Sequence, residues 1–202
     1  QDVSPAITTT YAVYATDGCT SLSDTAYVTI TVATPPVVDF SLANNTGCTP
    51  ITVNFIDNSP AAGVTCLWNF GNGFVSTDCG SVDHTYSIPG VYDVSYTITD
   101  INGCSDTASA TVFVNPAPDA RFKILNMNLT TSNSATGFDN LSTGAVSYLW
   151  NFGDATQSSN DFEPFHTFPY NNGGEYEITL TATSEFGCVD VAIKYVHVFQ
   201  DY

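Results

Sequence analysis

A short sequence, Trp-Asn-Phe-Gly, occurs twice in this chain, at residues 68–71 and 150–153, and this duplication constrains the fold more than any other feature. Each copy is followed at the same offset by His-Thr-aromatic, at 84–86 and 166–168, and then by a Gly-x-Tyr step and a Gly-Cys pair. Four landmarks in the same order indicate a duplicated unit, so the chain is a repeat protein. We therefore expect its function to belong to the array of units rather than to a pocket.

The spacing of apolar residues within each unit predicts β-strands. In both Tyr92–Thr99 and Tyr176–Thr183, aromatic and aliphatic residues alternate with acidic residues, Ser or Thr, which is the period of a half-buried strand. No window of useful length has the periodicity of an amphipathic helix. We therefore predict an all-β fold of tandem sandwiches, each with about seven short strands.

Two proline-containing joints divide the chain. Ala33–Pro36 and Asn115–Pro118 each follow an alternating run and precede a new aromatic-containing start. We predict domains at 35–115 and 116–202, whereas residues 1–34 match only the second half of a unit. Short proline linkers are stiff, so neighbouring modules should hold a limited range of angles.

The charge and the cysteines exclude several classes of function. Three Lys and Arg residues stand against 20 Asp and Glu, which gives a formal net charge of −17 at pH 7. Such a surface repels phosphate backbones and anionic membranes, so we expect no nucleic-acid partner and no basic membrane-binding face. No stretch approaches the roughly 20 apolar residues of a membrane-spanning helix. Six cysteines in a strand-rich chain predict an oxidising, extracellular compartment.

The combined motifs resemble the PKD domain, an immunoglobulin-like β-sandwich. Residues 150–154 contain Trp-Asn-Phe-Gly-Asp, and the His-Thr-aromatic, Gly-x-Tyr and Gly-Cys elements follow. The resemblance covers most of 35–115 and 116–200, and it implies tandem immunoglobulin-like sandwiches. Two positions depart from the family pattern, because Asn72 replaces the usual Asp and Ala155 stands where Gly is common.

The cysteine placement and the C-terminal segment resemble a narrower group within that family. Cys48–Pro50 and Asn102–Cys104 are similar to the PKD arrays of large Bacteroidetes surface adhesins. Val196–Tyr202 resembles the strand before a gliding-motility-associated secretion domain of the type IX system. The resemblance implies a non-catalytic stalk or adhesion module at the cell surface, near an outer-membrane anchoring end. Its partners would be neighbouring modules, an outer-membrane anchor or motility protein, and surface glycans.

The resemblance also implies a disulfide between Cys48 and Cys104. That pairing leaves Cys66 and Cys79 as a local link across a loop. Four cysteines allow three connectivities, so the pairing is a hypothesis. The long closure would add roughly 4 kcal/mol to stability and the short one about 3 kcal/mol.

Two cysteines are predicted to be unpaired. Cys19 lies in the N-terminal half-module, whose front half would carry its partner. Cys188 has Thr131 where its own partner would stand, so we expect a buried free thiol. Because the chain contains no Cys-x-x-Cys and no paired His, a zinc site is not expected.

The repeated tryptophans and histidines each have a functional and a structural interpretation. Trp68 and Trp150 could stack on sugars, but a strand tryptophan in an immunoglobulin-like sandwich is usually buried in the core. His84 and His166 could act as general bases, yet no nucleophile shares their motif. We predict that the tryptophans are core residues and that the histidines are hydrogen-bonded turn residues. Since no catalytic constellation is present, we do not expect an enzyme.

Acidic side chains in the loops suggest a calcium site. Asp154, Asp161 and Glu163 cluster in the second unit, as Asp78 and Asp83 do in the first. Hard oxygen ligands suit calcium, and the resemblance implies it because some PKD domains hold calcium near such loops. The chain has no Asp-x-Asp-x-Asp loop, however, and solvated acidic loops are the favoured interpretation. We expect no cofactor, with calcium as the candidate to test.

Thr25 and Thr107 are candidate sites of O-glycosylation. Each lies in an Asp-Thr-Ala sequence that resembles the Asp-(Ser/Thr)-aliphatic sequence used for this modification on exported Bacteroidetes proteins. The alternative is that both are ordinary threonines at strand edges. Modified peptide masses from the native source would distinguish the two interpretations.

A second function, from a different class, stays open. The chain could be a glycan-binding or spacer module of a secreted polysaccharide-degrading enzyme. Tryptophans or other aromatic residues exposed on one sandwich face would favour that function, whereas buried tryptophans would oppose it.

Overall fold

The computed structural model describes residues 2–15, 24–60, 65–169 and 173–201, and the regular structure within them is all β-strand. The predicted all-β fold is therefore confirmed. None of the described residues belongs to a helix long and apolar enough to cross a membrane.

Seventeen strands lie within the described residues. In chain order they are β1 Thr9–Ala15, β2 Asp24–Ile30, β3 Phe40–Ala43, β4 Thr46–Cys48, β5 Ile51–Asp57, β6 Thr65–Asn69, β7 Val75–Ser76, β8 Val82–Tyr86, β9 Gly90–Thr99, β10 Ser105–Asn115, β11 Phe122–Ile124, β12 Leu129–Thr130, β13 Ala135–Asn140, β14 Ser147–Asn151, β15 Phe165–Thr167, β16 Gly174–Thr183 and β17 Val189–Phe199.

The strand orders repeat along the chain. One pair of sheets has the orders β3-β5-β8 and β4-β10-β9-β6-β7, and a second pair has the orders β11-β13-β15 and β12-β17-β16-β14. The second pair reproduces the first strand for strand, except that β7 has no counterpart among the described residues. The remaining strands, β1 and β2, form an antiparallel hairpin of their own. The doubled motif in the sequence therefore corresponds to a doubled sandwich.

The described residues fall into two compact units. Unit 1 is drawn from residues 1–43, 55–82 and 93–110, and unit 2 from residues 44–54, 83–92 and 111–202. The core of unit 2 consists of large apolar side chains that are almost fully buried: Phe122, Ile124, Leu129, Phe138, Trp150, Phe152, Phe168, Ile178, Leu180, Val196 and Val198. The predicted domain boundaries at 35–115 and 116–202 stay a prediction.

The long strands β9 and β16 show why the period-two sequence forms sheet. The two strands have the same alternation of buried and partly exposed residues over all 10 positions. In β16 the buried side chains are Ile178, Leu180 and Ala182, while the intervening threonines are partly exposed. Branched and aromatic residues suit such a half-buried pleated surface. The alternation thus fixes which face of each strand packs on the core.

Short parallel strands lie at the C-terminal ends of β10 and β17. β4 pairs with β10 so that Cys48 lies opposite Asn115. β12 pairs with β17 so that Thr130 lies opposite Phe199. Thr130, rather than the predicted Thr131, therefore occupies the position of Cys48 in the second repeat. The difference of one residue arises at the turn between Thr130 and Asn133, which hydrogen-bond to each other.

Candidate functional site

Trp68 is a core residue of unit 1. Its indole is fully buried and stacks on the Tyr96 ring, with centroids 3.8 Å apart and planes 7° apart. The ring of Phe40 meets it edge-on at 5.1 Å. The indole Nε1 donates a hydrogen bond to the Gly80 carbonyl at 3.2 Å, so the polar atom of the ring has a partner.

Trp150 has the same role in unit 2. It is fully buried, with the rings of Phe122 and Phe138 at 5.1 and 5.5 Å. Its Nε1 donates to the Asp161 carbonyl at 3.0 Å. Because neither indole is exposed, neither can stack on a sugar at the surface. Both tryptophans serve the core, and the glycan-binding function loses one of the features that would favour it, exposed tryptophans.

The Asn and Gly of the motif form the turn that leaves the tryptophan strand. The side-chain oxygen of Asn151 accepts a hydrogen bond from the Gly153 amide at 2.9 Å. Gly153 has a φ of +71°, and a Cβ there would lie 2.5 Å from the Glu177 carbonyl oxygen. A side chain is thus excluded both by conformation and by space. The first repeat has the same arrangement at Asn69, Gly71 and Asp93.

A buried histidine–aspartate pair lies beside this turn in unit 2. The Nε2 of His166 lies 2.7 Å from Oδ2 of Asp154, whose side chain is 1% exposed. The imidazole stacks on the Phe152 ring, with centroids 3.9 Å apart and planes 4° apart. The edge of the same imidazole meets Phe168 at 4.8 Å. The imidazole of His166 is therefore held in place by the Asp154 carboxylate on one side and by the two phenylalanine rings on the other.

Hydrogen bonds hold Asp154 in its charged form. Burial by itself raises the pKa of this carboxyl, but donors from the Thr156 hydroxyl, the His166 ring and the Thr156 amide outweigh burial and lower it. The amide of Thr156 lies 3.1 Å from Oδ1 of Asp154. The Thr156 hydroxyl is therefore a donor to the carboxylate rather than a nucleophile activated by the histidine. The group resembles a dyad in composition but is built to fix a loop.

At the equivalent position of the first repeat, Asn72 stands in place of the aspartate. His84 packs edge-on against Tyr86 with centroids 4.8 Å apart, as His166 does against Phe168, and burial lowers the pKa of His84. Both histidines lie in strands, His84 in β8 and His166 in β15. The prediction of turn histidines is wrong in this respect, because both segments pair with a neighbouring strand: β8 lies beside β5, and in β15 His166 lies opposite Thr136 of β13.

The acidic loop residues do not converge on a common point. Within the described residues, no three His, Cys, Asp or Glu side chains are grouped so as to hold a metal ion. Asp154 is engaged with His166, whereas the carboxylate of Asp161 accepts from the Ser159 hydroxyl at 3.0 Å. Glu163 is exposed. In the first repeat, Asp78 and Asp83 similarly accept hydrogen bonds, from Ser76 and Asn54.

The structure corrects the predicted disulfide pattern. Cys48 is bonded to Cys188, with Cα atoms 5.6 Å apart, and Cys104 is a free thiol. The predicted Cys48–Cys104 bridge and the predicted free Cys188 are therefore wrong. Cys104 precedes the first residue of the 11-residue strand β10, whereas Cys48 lies beside its last residue. At about 3.3 Å per residue these ends are roughly 35 Å apart, far beyond disulfide reach.

For Cys66 and Cys79 the predicted disulfide is confirmed. Cys66 and Cys79 form the local disulfide, with Cα atoms 5.2 Å apart. Cys19 lies outside the described residues. The bond between Cys48 and Cys188 was missed because the sequence was interpreted one repeat at a time. A signal was present, since Cys188 is the one cysteine of the second repeat and so has no partner within it.

The two candidate glycosylation sites are exposed strand residues. Thr107, on β10, lies with its hydroxyl 2.8 Å from that of Thr97 on the neighbouring strand. Thr25, on β2, lies opposite Tyr14 and is exposed. Asp106, the acidic residue of the Asp-Thr-Ala sequence, also has a structural role, because its Oδ2 accepts a hydrogen bond from the Val38 amide at 3.2 Å.

A surface stripe on β17 was not predicted. Its exposed members are apolar: Val189, Val191, Ile193 and Tyr195, between 46% and 55% exposed. The matching exposed positions of β10 include Ser105, Thr107 and Ser109. These side chains point outward because the other face of β17 contributes Val196 and Val198 to the core of unit 2. Lys194, on that same face, lies over the Phe122 ring at 5.5 Å.

These features define a class of protein. The Trp, Asn, Phe and Gly of the doubled motif are used in packing or in a turn. The molecule is a β-sandwich repeat protein.

The chain belongs to the PKD domain family. A family model described as "PKD domain" matches residues 33–115 and again 113–198, which together make up most of the chain. The disulfide between Cys48 and Cys188 therefore links one PKD repeat to the next.

The chain is similar to parts of two named proteins. It is 38% identical over 78 residues to the pre-pro-metalloprotease PrtV of Vibrio cholerae serotype O1, which covers 38% of this chain and 8% of that protein. It is 29% identical over 141 residues to the collagenase ColA of Clostridium perfringens, which covers 64% of this chain and 12% of that protein. The chain thus spans only a small part of these relatives' length.

Among solved structures, the chain is similar to the PKD1 domain of the Vibrio cholerae metalloprotease PrtV. The two are 32% identical, and the match covers 41% of this chain and 98% of that domain, with a TM-score of 0.35. A match of similar extent is found with the PKD1 domain of Vibrio anguillarum Epp, which is 27% identical, with 43% of this chain and 99% of that domain covered and a TM-score of 0.36.

Proposed function

We propose that the chain is a non-catalytic, extracellular stalk or adhesion module of a large cell-surface protein. The observation that carries this proposal is the disulfide between Cys48 and Cys188, which joins consecutive PKD repeats. A bond between repeats adds nothing to a binding pocket within one repeat. It does keep neighbouring repeats together under tension, which is the requirement of a stalk.

The mechanism is mechanical. Each repeat has a closed aromatic core, and the bridge closes a sequence separation of 140 residues. In the chain-entropy model such a closure stabilises the folded state by about 5 kcal/mol. The proline-containing joint at Asn115–Pro118 limits bending. Force applied along the chain would therefore meet both sandwich cores and a covalent link before the repeats separate.

The finer assignment is a gliding-motility type of adhesin exported by the type IX system. It is supported by the placement of Cys48 before Pro50, by the Asn-Gly-Cys turn and by the closing segment at Val196–Tyr202. The partners would be neighbouring modules of the same chain, an outer-membrane anchor or motility protein, and surface glycans. Calcium is not required by this proposal.

The second candidate is a module of a secreted hydrolase. It is favoured by the likeness to the metalloprotease PrtV and the collagenase ColA. Within such an enzyme the module would be a spacer. Sugar binding through Trp68 or Trp150 is opposed by their complete burial.

Antibody labelling and repeat exchange in the native organism test the proposal. Antibodies to this chain should label intact cells, and replacing residues 33–198 with unrelated immunoglobulin-like repeats of equal number should preserve adhesion. A stalk depends on length and strength, whereas a binding module depends on its own surface. The proposal is contradicted if the antigen is found only in the medium beside a hydrolase activity. If the exchange abolishes adhesion, the stalk role is contradicted and the chain is itself the adhesion module.

A further inference from the structure

Cys104 and Cys188 occupy the same local structure in consecutive repeats. Each follows a glycine with positive φ, +82° at Gly103 and +79° at Gly187. The carbonyl of Cys104 accepts from the Asp100 amide at 2.9 Å, and the carbonyl of Cys188 accepts from an equivalent amide at 2.8 Å. The two turns are therefore copies of one another, and a difference between the cysteines must come from outside the turn.

The joints that precede these two repeats are also alike. The segments from Val32 to Phe40 and from Val114 to Phe122 have the same length, and both contain proline. In each repeat an aspartate two residues after the cysteine accepts a hydrogen bond from this joint. Asp106 accepts from Val38 at 3.2 Å, and Asp190 accepts from Ala120 at 2.8 Å. The cysteine turn is thus positioned against the incoming chain in the same way twice.

The two cysteines differ in whether a partner reaches them. Cys188 is 1% exposed and bonded to Cys48 of the preceding repeat. Cys104 is half-buried and free, and the other described cysteines are all engaged in disulfides. We propose that Cys104 is the acceptor site for a disulfide from a PKD repeat on its N-terminal side, one that carries a cysteine at the position of Cys48.

The array would then be a covalent chain in which each repeat is bonded to the next. The second repeat receives such a link through Cys188 but offers none, because Thr130 lies at the Cys48 position. The neighbouring Thr131 and Ser132 instead donate to the carboxylate of Asp201. The series of links therefore stops at the second repeat. This inference does not depend on whether the protein is an adhesin.

The chemistry is ordinary thiol oxidation. The two cysteine thiols lose two protons and two electrons as the sulfur–sulfur bond forms, and a disulfide oxidant accepts both. With glutathione disulfide as the oxidant, two molecules of reduced glutathione are released for each protein disulfide. A thiol that is half-exposed, as Cys104 is, remains accessible to such exchange.

The experiment places a PKD repeat with a cysteine at the Cys48 position directly before the first repeat. A second copy of residues 33–114 is inserted before residue 33 of the full chain, so that every joint keeps its native length. Cys19→Ser is included throughout. One protein carries Cys104→Ser in the leading copy, and the matched control carries Cys104→Ser in the original copy. After refolding with reduced and oxidised glutathione, free thiols are counted by iodoacetamide labelling and mass spectrometry, and circular dichroism verifies folding.

The two proteins are expected to differ. In the first, the leading Cys48 bonds the original Cys104, the original Cys48 bonds Cys188, and no free thiol remains. In the control, the leading Cys48 and the leading Cys104 have no partner, so both are labelled. The reverse result would mean that Cys48 and Cys104 pair within one repeat, and it would overturn the proposal. Labelled thiols in both proteins would overturn it as well.

A second measurement does not depend on the engineered joint. The full protein is isolated from the cells that make it, alkylated without reduction and digested, and the peptide that contains Cys104 is identified. The expected form is a peptide disulfide-linked to a cysteine from another PKD repeat. Recovery of Cys104 as an alkylated thiol, with the Cys48–Cys188 link intact in the same sample, would contradict the proposal.

Discussion

At the scale of single residues, the doubled Trp-Asn-Phe-Gly motif is a unit of construction. The tryptophan and phenylalanine fill the core, the asparagine accepts a hydrogen bond from the glycine, and the glycine lets the turn approach a neighbouring strand. In the second repeat these are Trp150, Asn151, Phe152 and Gly153. The motif occurs twice because each of the two sandwiches needs the same core residues and the same turn.

Gly153→Ala should destabilise unit 2 strongly. The new Cβ would lie 2.5 Å from the Glu177 carbonyl oxygen, in addition to the cost of a positive φ, so we expect a loss of about 3 kcal/mol. Urea unfolding measures it. Gly187→Ala is the matched control, because its φ is +79° but no atom lies within 4 Å of the new Cβ; it should lose about 1 kcal/mol. Equal losses would refute the steric explanation.

Asp154→Asn should weaken unit 2 and change its response to acid. The pKa of Asp154 is lower in the folded protein than the ordinary value of 3.8. Its contribution is therefore present in full above about pH 4 and is lost as the pH falls through the folded pKa. We expect a loss of about 2 kcal/mol at pH 7, and a weaker loss of stability below pH 4 than in the wild type.

Thermal melting between pH 2 and pH 7 measures this change. Asp161→Asn is the matched control, because Asp161 is exposed, and it should melt like the wild type throughout. If Asp154→Asn has the same acid profile as the wild type, the carboxylate of Asp154 does not carry the pH dependence.

Calcium should leave the melting temperature unchanged. The oxygens of Asp154 are already occupied by His166 and Thr156, and no acidic cluster is formed among the described residues. The measurement is thermal melting with millimolar calcium chloride against the same protein in chelator. A calcium-dependent rise that Asp161→Asn or Glu163→Gln removes would establish the site that the geometry does not favour.

At the scale of elements, β16 and β17 show that the same alternation can have two outcomes. In β16 the apolar residues face the core, as the sequence predicted. In β17 the apolar residues from Val189 to Tyr195 are exposed, while Asp190 and Lys194 lie on the opposite face and interact with the start of the repeat. The alternation predicts that a strand exists, but not which of its faces is buried.

Leu180→Ala and Ile193→Ala separate these two outcomes. Leu180 is fully buried, so its truncation should cost between about 2 and 5 kcal/mol. Ile193 is 52% exposed on β17, so its truncation should cost about 0.5 kcal/mol or less. Urea unfolding of the two variants provides the comparison. A large loss for Ile193→Ala would show that the stripe is covered in solution.

At the scale of the whole molecule, the two disulfides differ in how much they should contribute to the free energy of unfolding. The local bond between Cys66 and Cys79 spans 13 residues, and the bond between Cys48 and Cys188 spans 140. Loop-closure entropy grows with the logarithm of loop length, so the longer bond should contribute more to stability. The longer bond also joins two family repeats, so we expect their unfolding to be interdependent.

Replacing both Cys48 and Cys188 by Ser should lower the free energy of unfolding by up to about 5 kcal/mol. Replacing both Cys66 and Cys79 by Ser is the matched control and should cost about 3 kcal/mol. Urea unfolding gives both values, and the first variant should also show two separate transitions. An unchanged, single transition without the long bond would mean that it does not couple the repeats.

The sequence by itself determined the repeat, the all-β class, the core role of Trp68 and Trp150 and the local disulfide, because these depend on short-range periodicity and on residues within one unit. Only the tertiary structure decided the partner of Cys48, the pairing of His166 with Asp154 and the outward face of β17. Each depends on strand register and on which loops meet at the ends of long strands. Periodicity along one strand carries no information about which distant segment arrives at its ends.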